Sequence, residues 1–218
     1  MRRKGLLFLF PLLVLLFVDA GLMMGQELKP ILLPKPQLDG GRPLMQVLKD
    51  RRSSREFGQE KVPIQVLSNL LWAAFGINGP DPGKRTAPSA RHWQETDIYV
   101  ATSEGLYLYD AKAHQLNLLQ KADIRAITGT QPYVKEAPIN LVYVVDYAKT
   151  GKAAEEERQL FCPADVGFIS ENVYLFCASE GLATVVRGLI DRPALAKAMQ
   201  LRPDQKIILS QSIGYPKR

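Results

Sequence analysis

Three guanidiniums and two hydroxyls fall within five consecutive residues, Arg51-Arg52-Ser53-Ser54-Arg55. Guanidinium forks and hydroxyls are what a protein uses to hold a phosphate, because their N–H and O–H donors match its oxygens and the arginine charge is permanent. A solvated charged face has the same composition, so this stretch alone leaves both readings open. A second polar run, Pro88-Ser89-Ala90-Arg91-His92-Trp93-Gln94, stands directly before an alternating segment, and the chain ends on two more cations, Lys217 and Arg218. The only histidines, His92 and His114, and the only cysteines, Cys162 and Cys177, do not have metal-ligand spacing. No nucleophilic triad stands out.

The elements that must position these groups can be read from periodicity. Residues 26–43 are rich in Pro, Gly and Leu and read as an extended arm, since Pro30, Pro34, Pro36 and Pro43 each remove a helical hydrogen bond. Leu44, Val47 and Leu48 then sit at helical spacing in a short helix that delivers the arginine cluster. Pro63 opens a second helix with an apolar stripe of Val66, Leu67, Leu70, Leu71, Ala74 and Phe75, and Gly76 ends it. Trp72 reads as core in this helix. Residues 78–85 form a turn-rich loop. Residues 97–101 and 106–109 alternate as two strands of a hairpin turning at Ser103-Glu104-Gly105. Residues 121–130 read as a short helix, and the β-branched run 139–145 as a central strand buried on both faces.

The polar stretch 151–158 reads as helical or mobile. The longest helix is expected over 164–182, with Val166, Ile169, Val173, Phe176 and Cys177 on one face and Gly181 at its end. A short strand at 184–187, a helix at 193–200 and a last strand at 207–213 follow. Helices and strands alternate without a regular βαβ rhythm, so the class is α+β.

At 218 residues and 46% apolar, the chain suits one domain with a sizeable core. The formal charge of +6 is mild and spread out, which does not imply a nucleic-acid partner. Arg2, Arg3 and Lys4 precede an apolar run at 6–18 with small residues after it, so residues 1–25 read as a signal peptide and the protein as exported, with a periplasmic location expected. A retained anchor is the competing reading, so a membrane enters only through an uncleaved signal segment. Cys162 and Cys177 fall at the start and within one expected helix, about 22 Å apart, beyond disulfide reach.

Four segments in order carry a resemblance: RRSSREF at 51–57, PSARHWQ at 88–94, ENVYLFCASEGLATVVRG at 171–188 and GYPKR at 214–218. Together they resemble the nitroreductase-like family of FMN-dependent oxidoreductases, and within it the thiazoline/oxazoline dehydrogenase-type (SagB-type) branch. The resemblance covers residues 44–218. It implies a nitroreductase-like fold, a central mostly antiparallel sheet flanked by helices, in a homodimer with Asn172 and Tyr174 on an interface helix. It implies FMN bound by Arg51, Ser53 and Arg55, with Arg52 alongside and Arg55 near the pyrimidine edge of the flavin. Pro88, Ser89, His92 and Gln94 match the family's Pro-Ser-x-x-Asn-x-Gln loop, with His92 at the Asn position and Glu95 where a proline often follows. His92 either replaces the hydrogen bond of that Asn or acts as a proton donor or tuner of the flavin. Arg187 and Gly188 match the segment that passes flavin N5, and Lys217 and Arg218 match basic residues that reach the phosphate.

Trp93, inside the loop, is a candidate for a substrate pocket. The implied reaction is a ping-pong hydride transfer between a small-molecule donor and acceptor. The alternative is an exported flavin-binding or fold-only protein without general reductase activity.

Overall fold

The computed structural model describes residues 29–80 and 83–218. In chain order these form β1 (Ile31–Leu32), α1 (Leu44–Asp50), α2 (Ile64–Phe75), β2 (Thr96–Thr102), β3 (Gly105–Asp110), β4 (Gln115–Gln120), β5 (Ile139–Asp146), α3 (Glu155–Glu180), β6 (Ala183–Arg187), α4 (Arg192–Ala198) and β7 (Gln205–Gly214), with 3-10 turns between. The signal peptide expected at 1–25 lies outside the described residues, as does part of the 78–85 loop. Among the described residues no helix is long and apolar enough to cross a membrane.

The strands make one seven-stranded sheet in the order β1-β4-β3-β2-β5-β7-β6, and every neighbouring pair is antiparallel. At its centre all eight residues of β5 are buried. The period of two explains why. Ile139, Leu141, Tyr143 and Val145 face α2 and α3, whereas Val142 and Val144 join Leu195 and Met199 around α4 on the other face. The expected central strand is therefore present, in an α+β fold with helices on both faces.

Three expectations need correction. The longest helix begins at Glu155, not at 164, and runs through Pro163. A proline inside a helix removes one backbone bond, but three glutamates favour the positive end of the helix dipole and Glu157 Oε2 accepts the Ala154 N–H at 3.3 Å. Residues 121–130 hold only a 3-10 turn, Arg125–Ile127. There Thr128 N and Oγ1 both close on Arg125 O, and Thr128 O is taken by Arg187 and Ser210, so no helix propagates. Strand β4, absent from the sequence reading, pairs with β3 and with the arm at β1. The arm is also tied to α2 where Ser68 Oγ donates to Pro34 O at 2.5 Å.

Candidate active site

Arg51 terminates α1 by donating its N–H to Val47 O at 2.8 Å, and Ser54 N donates to Thr184 O at 2.9 Å. The cluster thus leaves the helix as extended chain along the start of β6. Ser53 Oγ lies 2.8 Å from Tyr174 Oη of α3, and that phenol oxygen accepts the Val186 N–H at 2.9 Å. The Arg51 guanidinium stands over the Tyr174 ring, 5.1 Å from its centre, and 4.0 Å from Glu171 Oε1.

The other end of the chain comes to the same place. Phe57 and Pro216 form an antiparallel bridge, Gly58 N donates to Tyr215 O at 2.8 Å, and Lys217 N donates to Glu56 O at 3.4 Å. Lys217 and Arg218 therefore adjoin the arginine cluster. Among the described residues none of Arg52, Arg55, Lys217 and Arg218 forms an ion pair. Arg52, Ser54, Tyr174, Thr184 and Pro216 line a cleft of about 320 Å³.

Pro88, Ser89, His92 and Gln94 line a separate hollow of about 310 Å³ with Asn78 and Arg85. Ser89 Oγ accepts the Gln94 N–H at 2.8 Å and donates to Glu95 Oε2 at 3.2 Å. The Ala90 N–H donates to Asp165 Oδ2 at 2.7 Å. Gln94 Oε1 accepts from Arg85 Nε at 2.9 Å, while its amide donates to Gly83 O. Arg91, His92 and Gln94 have φ of 49°, 59° and 48°, in the left-handed region where non-glycine residues are uncommon. Conformations of this kind persist where neighbours over-determine them, and they cluster at functional sites. His92 is exposed, its Nε2 3.2 Å from the Gln94 amide.

The two regions are joined by one helix. Asp165, under the loop, and Tyr174, under the arginines, are separated by about 14 Å of α3 at 1.5 Å per residue. Asn172 Nδ2, between them, donates to Thr86 O at 3.3 Å.

Two expected site residues are placed elsewhere. Arg187 turns into the interior, 3% exposed, and donates to Thr128 O at 2.9 Å and Asn140 Oδ1 at 2.8 Å. Burial without a carboxylate pulls its pKa down to about 10, still charged at neutral pH. Its side chain serves the core and does not reach the cleft. Trp93 packs edge-on against Phe161, centroids 6.2 Å apart, beneath Arg91, so it faces α3 and not the loop hollow. Gly188 is exposed, and a Cβ there would meet only Leu209 at 3.7 Å, an ordinary contact. Trp72 is half-buried and donates to Ile77 O at 2.9 Å, at the edge of a groove between α2 and α3.

Sequence reasoning passed over Tyr174 as a hinge between Ser53 and β6, and over Asp165 as the cap of Ala90. A signal existed for Asp165: it is an acid on the apolar stripe of α3, one position before buried Val166 and three after buried Cys162.

The nitroreductase family model matches residues 48–215, which contain both regions of the site except the last residues. The chain belongs to the nitroreductase family. Members of this family typically bind a flavin and act as oxidoreductases. A crystal structure of a provisionally assigned nitroreductase from Ralstonia eutropha JMP134 is 44% identical, covers 87% of this chain and 90% of that one, and superposes with a TM-score of 0.83. A provisionally assigned nitroreductase of Methanocaldococcus jannaschii is 30% identical over 155 residues, 66% of this chain and 78% of that protein. The McbBCD microcin synthetase of E. coli, solved with truncated pro-MccB17 bound, contains a chain with a TM-score of 0.70 at 16% identity. The match covers 96% of this chain and 85% of that one, and at this identity it speaks for the fold alone. The nitroreductase fold thus accounts for the seven-stranded sheet and its four helices.

Proposed function

We propose that this nitroreductase-family protein is an FMN-dependent oxidoreductase. In this reading Arg51, Arg52 and Ser53, with Lys217 and Arg218, hold the phosphate, and Arg55 and the Pro88–Gln94 loop serve the flavin ring. One observation carries it: the two ends of the domain, remote in sequence, converge where Lys217 N donates to Glu56 O beside the arginine cluster, and among the described residues none of Arg52, Arg55, Lys217 and Arg218 is taken up in an ion pair. Like charges gathered at one place repel, so such a cluster suits a dianionic partner better than water alone. The small, exposed Gly188, which nothing in this chain requires to lack a side chain, is consistent with a ligand's close approach. When bound, FMN supplies hydride transfer between a donor and an acceptor that use the cleft in turn.

The protein's own part is to orient and exclude. Ser53 is held by Tyr174, Gln94 is held by Arg85, and the exposed His92 ring lies beside the Gln94 amide, where it can meet a ligand. A homodimer belongs to this reading. Leu44, Met45 and Leu48 of α1 and Phe168 of α3 are 60%, 77%, 46% and 49% exposed, an apolar surface that a second copy would cover. The substrate reading is an azoline dehydrogenase-type oxidation, and it rests on the resemblance carried by the four sequence segments at 51–57, 88–94, 171–188 and 214–218. The competing substrate class is the nitro compounds for which the family is named.

Purified protein lacking residues 1–25 should be yellow, take up one FMN per chain, bleach under a reductant, and elute at twice the chain mass. A colourless protein that takes up no FMN overturns the reading in favour of a fold-only role.

We further propose that residues 1–25 export the protein. An exported enzyme has no supply of cytoplasmic nicotinamide reductant, so its donor is the organic substrate itself or another redox carrier. Fractionation of cells carrying the tagged full chain should recover it outside the cytoplasm, and recovery from the soluble cytoplasmic fraction overturns the export reading.

A further inference from the structure

Glu95 occupies the position directly after the loop, at the entry to β2, and its side chain is 0% exposed. Oε2 accepts from the Ser89 hydroxyl at 3.2 Å, whereas Oε1 is buried without a hydrogen-bond partner. Asp165 of α3, 4% exposed, lies within hydrogen-bonding reach of both Ser89 and Glu95. The Cys162 thiol, three residues earlier on α3, also lies against Glu95, and burial, aided by the charges of the two acids, pushes its pKa up to about 12.

No cation among the described residues pairs with either acid. Arg158 of α3 is spent on Thr150 Oγ1 at 2.8 Å and on Gly151 O. Asp97 of β2 holds Lys149 at 2.5 Å, and Asp146 of β5 holds Arg202 at 2.8 Å.

Two facing carboxylates have four acceptor oxygens and no donor between them. A hydrogen bond joins them only when one keeps a proton, and close like charges oppose the second ionisation. That proton accounts for the orphaned Oε1. Burial raises the pKa of both acids in agreement, and the charge of Asp165 raises that of Glu95 further.

We propose that Glu95 and Asp165 share one proton, carried on Glu95, and that this singly charged pair holds residues 89–94 in the shape that receives the flavin. Glu95 is a positioning residue, and the proposal rests on reading the loop as a flavin contact. The chain of restraint is explicit. Asp165 fixes Ala90 N, Glu95 fixes Ser89 Oγ, and Ser89 Oγ fixes Gln94 N, so hydrogen bonds that lead to the acids bracket all three left-handed residues. Loss of the shared proton breaks the link between the carboxyls and sets two charges against each other beneath the loop.

Flavin affinity should therefore fall as pH rises. The sign for stability is the same. Both folded-state pKa values are raised, so the pair's contribution is complete below the ordinary carboxyl range near about 4 and is lost as pH rises through the folded values.

The test titrates FMN against the flavin-free protein by fluorescence quenching from mildly acidic to alkaline pH. The dissociation constant of the wild type should rise by up to about tenfold per pH unit beyond the ionisation. Glu95→Gln, which keeps a donor toward Asp165 and cannot ionise, should lack the loss of affinity at alkaline pH, any change it shares with the wild type at about pH 6 belonging to the FMN phosphate. Asp165→Asn, which removes the like charge and can donate to an ionised Glu95, should also lack the fall in affinity at alkaline pH. The infrared spectrum of the flavin-free wild type should show a protonated-carboxyl band that Glu95→Gln lacks.

An absent band, or a wild-type affinity independent of pH, overturns the proposal. A protein with the band that binds no FMN at any pH overturns the flavin reading instead. The shared proton is then decided by melting: stability that falls with rising pH in the wild type but not in Glu95→Gln supports it, and parallel curves overturn it.

Discussion

The double variant Arg51→Ala/Arg55→Ala should bind FMN about a hundredfold to ten-thousandfold more weakly than the wild type. Hydrogen bonds to charged groups contribute roughly 1.5–3 kcal/mol each, and two such losses convert at about 1.4 kcal/mol per tenfold. The fold should tolerate the change. Arg55 is exposed, and Arg51 gives up its stacking on the Tyr174 ring and a 4.0 Å contact with Glu171, together worth about 1 kcal/mol. Removing two clustered cations offsets part of that. FMN binding measured by fluorescence quenching, beside a melting curve, separates the two effects. Because the interaction is ionic and solvent-accessible, wild-type affinity should also fall as salt is raised, and the variant's should fall less. Equal affinities for variant and wild type would place the phosphate elsewhere.

Arg187 carries the second large effect, on stability. Its guanidinium is buried among neutral partners: Thr128 O at 2.9 Å, Thr128 Oγ1 at 3.4 Å and Asn140 Oδ1 at 2.8 Å. Its Nε has no partner. Gly129 leaves it room, since a Cβ there would lie 2.0 Å from Nη1. Arg187→Ala strips donors from buried acceptors and opens a cavity, so it should cost about 3–5 kcal/mol. For a domain of this size that lowers the melting temperature by roughly 6–20 °C.

Arg187→Met should cost less than Arg187→Ala. Methionine fills much of the space and removes the desolvation cost of an unpaired charge. Ser210 Oγ and Ser212 Oγ still donate to Thr128 O and Asn140 Oδ1, at 2.8 and 2.6 Å. Denaturant unfolding of the three proteins tests the order. An alanine variant as stable as wild type would mean that this network adds nothing to the fold.

What was legible in the chain follows from short-range patterns. The β-branched run 139–145, the stripe of α2, the Gly105 hairpin and the Gly181 helix end are each written within a few residues, and each appears in the structure. The arginine cluster and the Pro88–Gln94 loop were equally visible as residue types in order. Strand β4 was not, because its short alternation at Leu116 and Leu118 carries weight only beside β3 and the arm. The start of α3 was hidden by Pro163, whose local preference is outweighed when the rest of the helix packs on the sheet.

The sequence by itself determined which charged and polar groups this protein carries and in what order, because side-chain chemistry and helix or strand period are local properties. The tertiary structure alone decided which of them meet. It brought Lys217 to Glu56 beside the arginines, turned Arg187 inward toward Asn140, and buried Glu95 against Asp165 beneath the loop. Adjacent residues on a strand point to opposite faces, and contacts between distant segments are set by how the layers pack. A residue's place in a motif therefore says what it can do, and its surroundings in the fold decide whether it does so at the site or in the core.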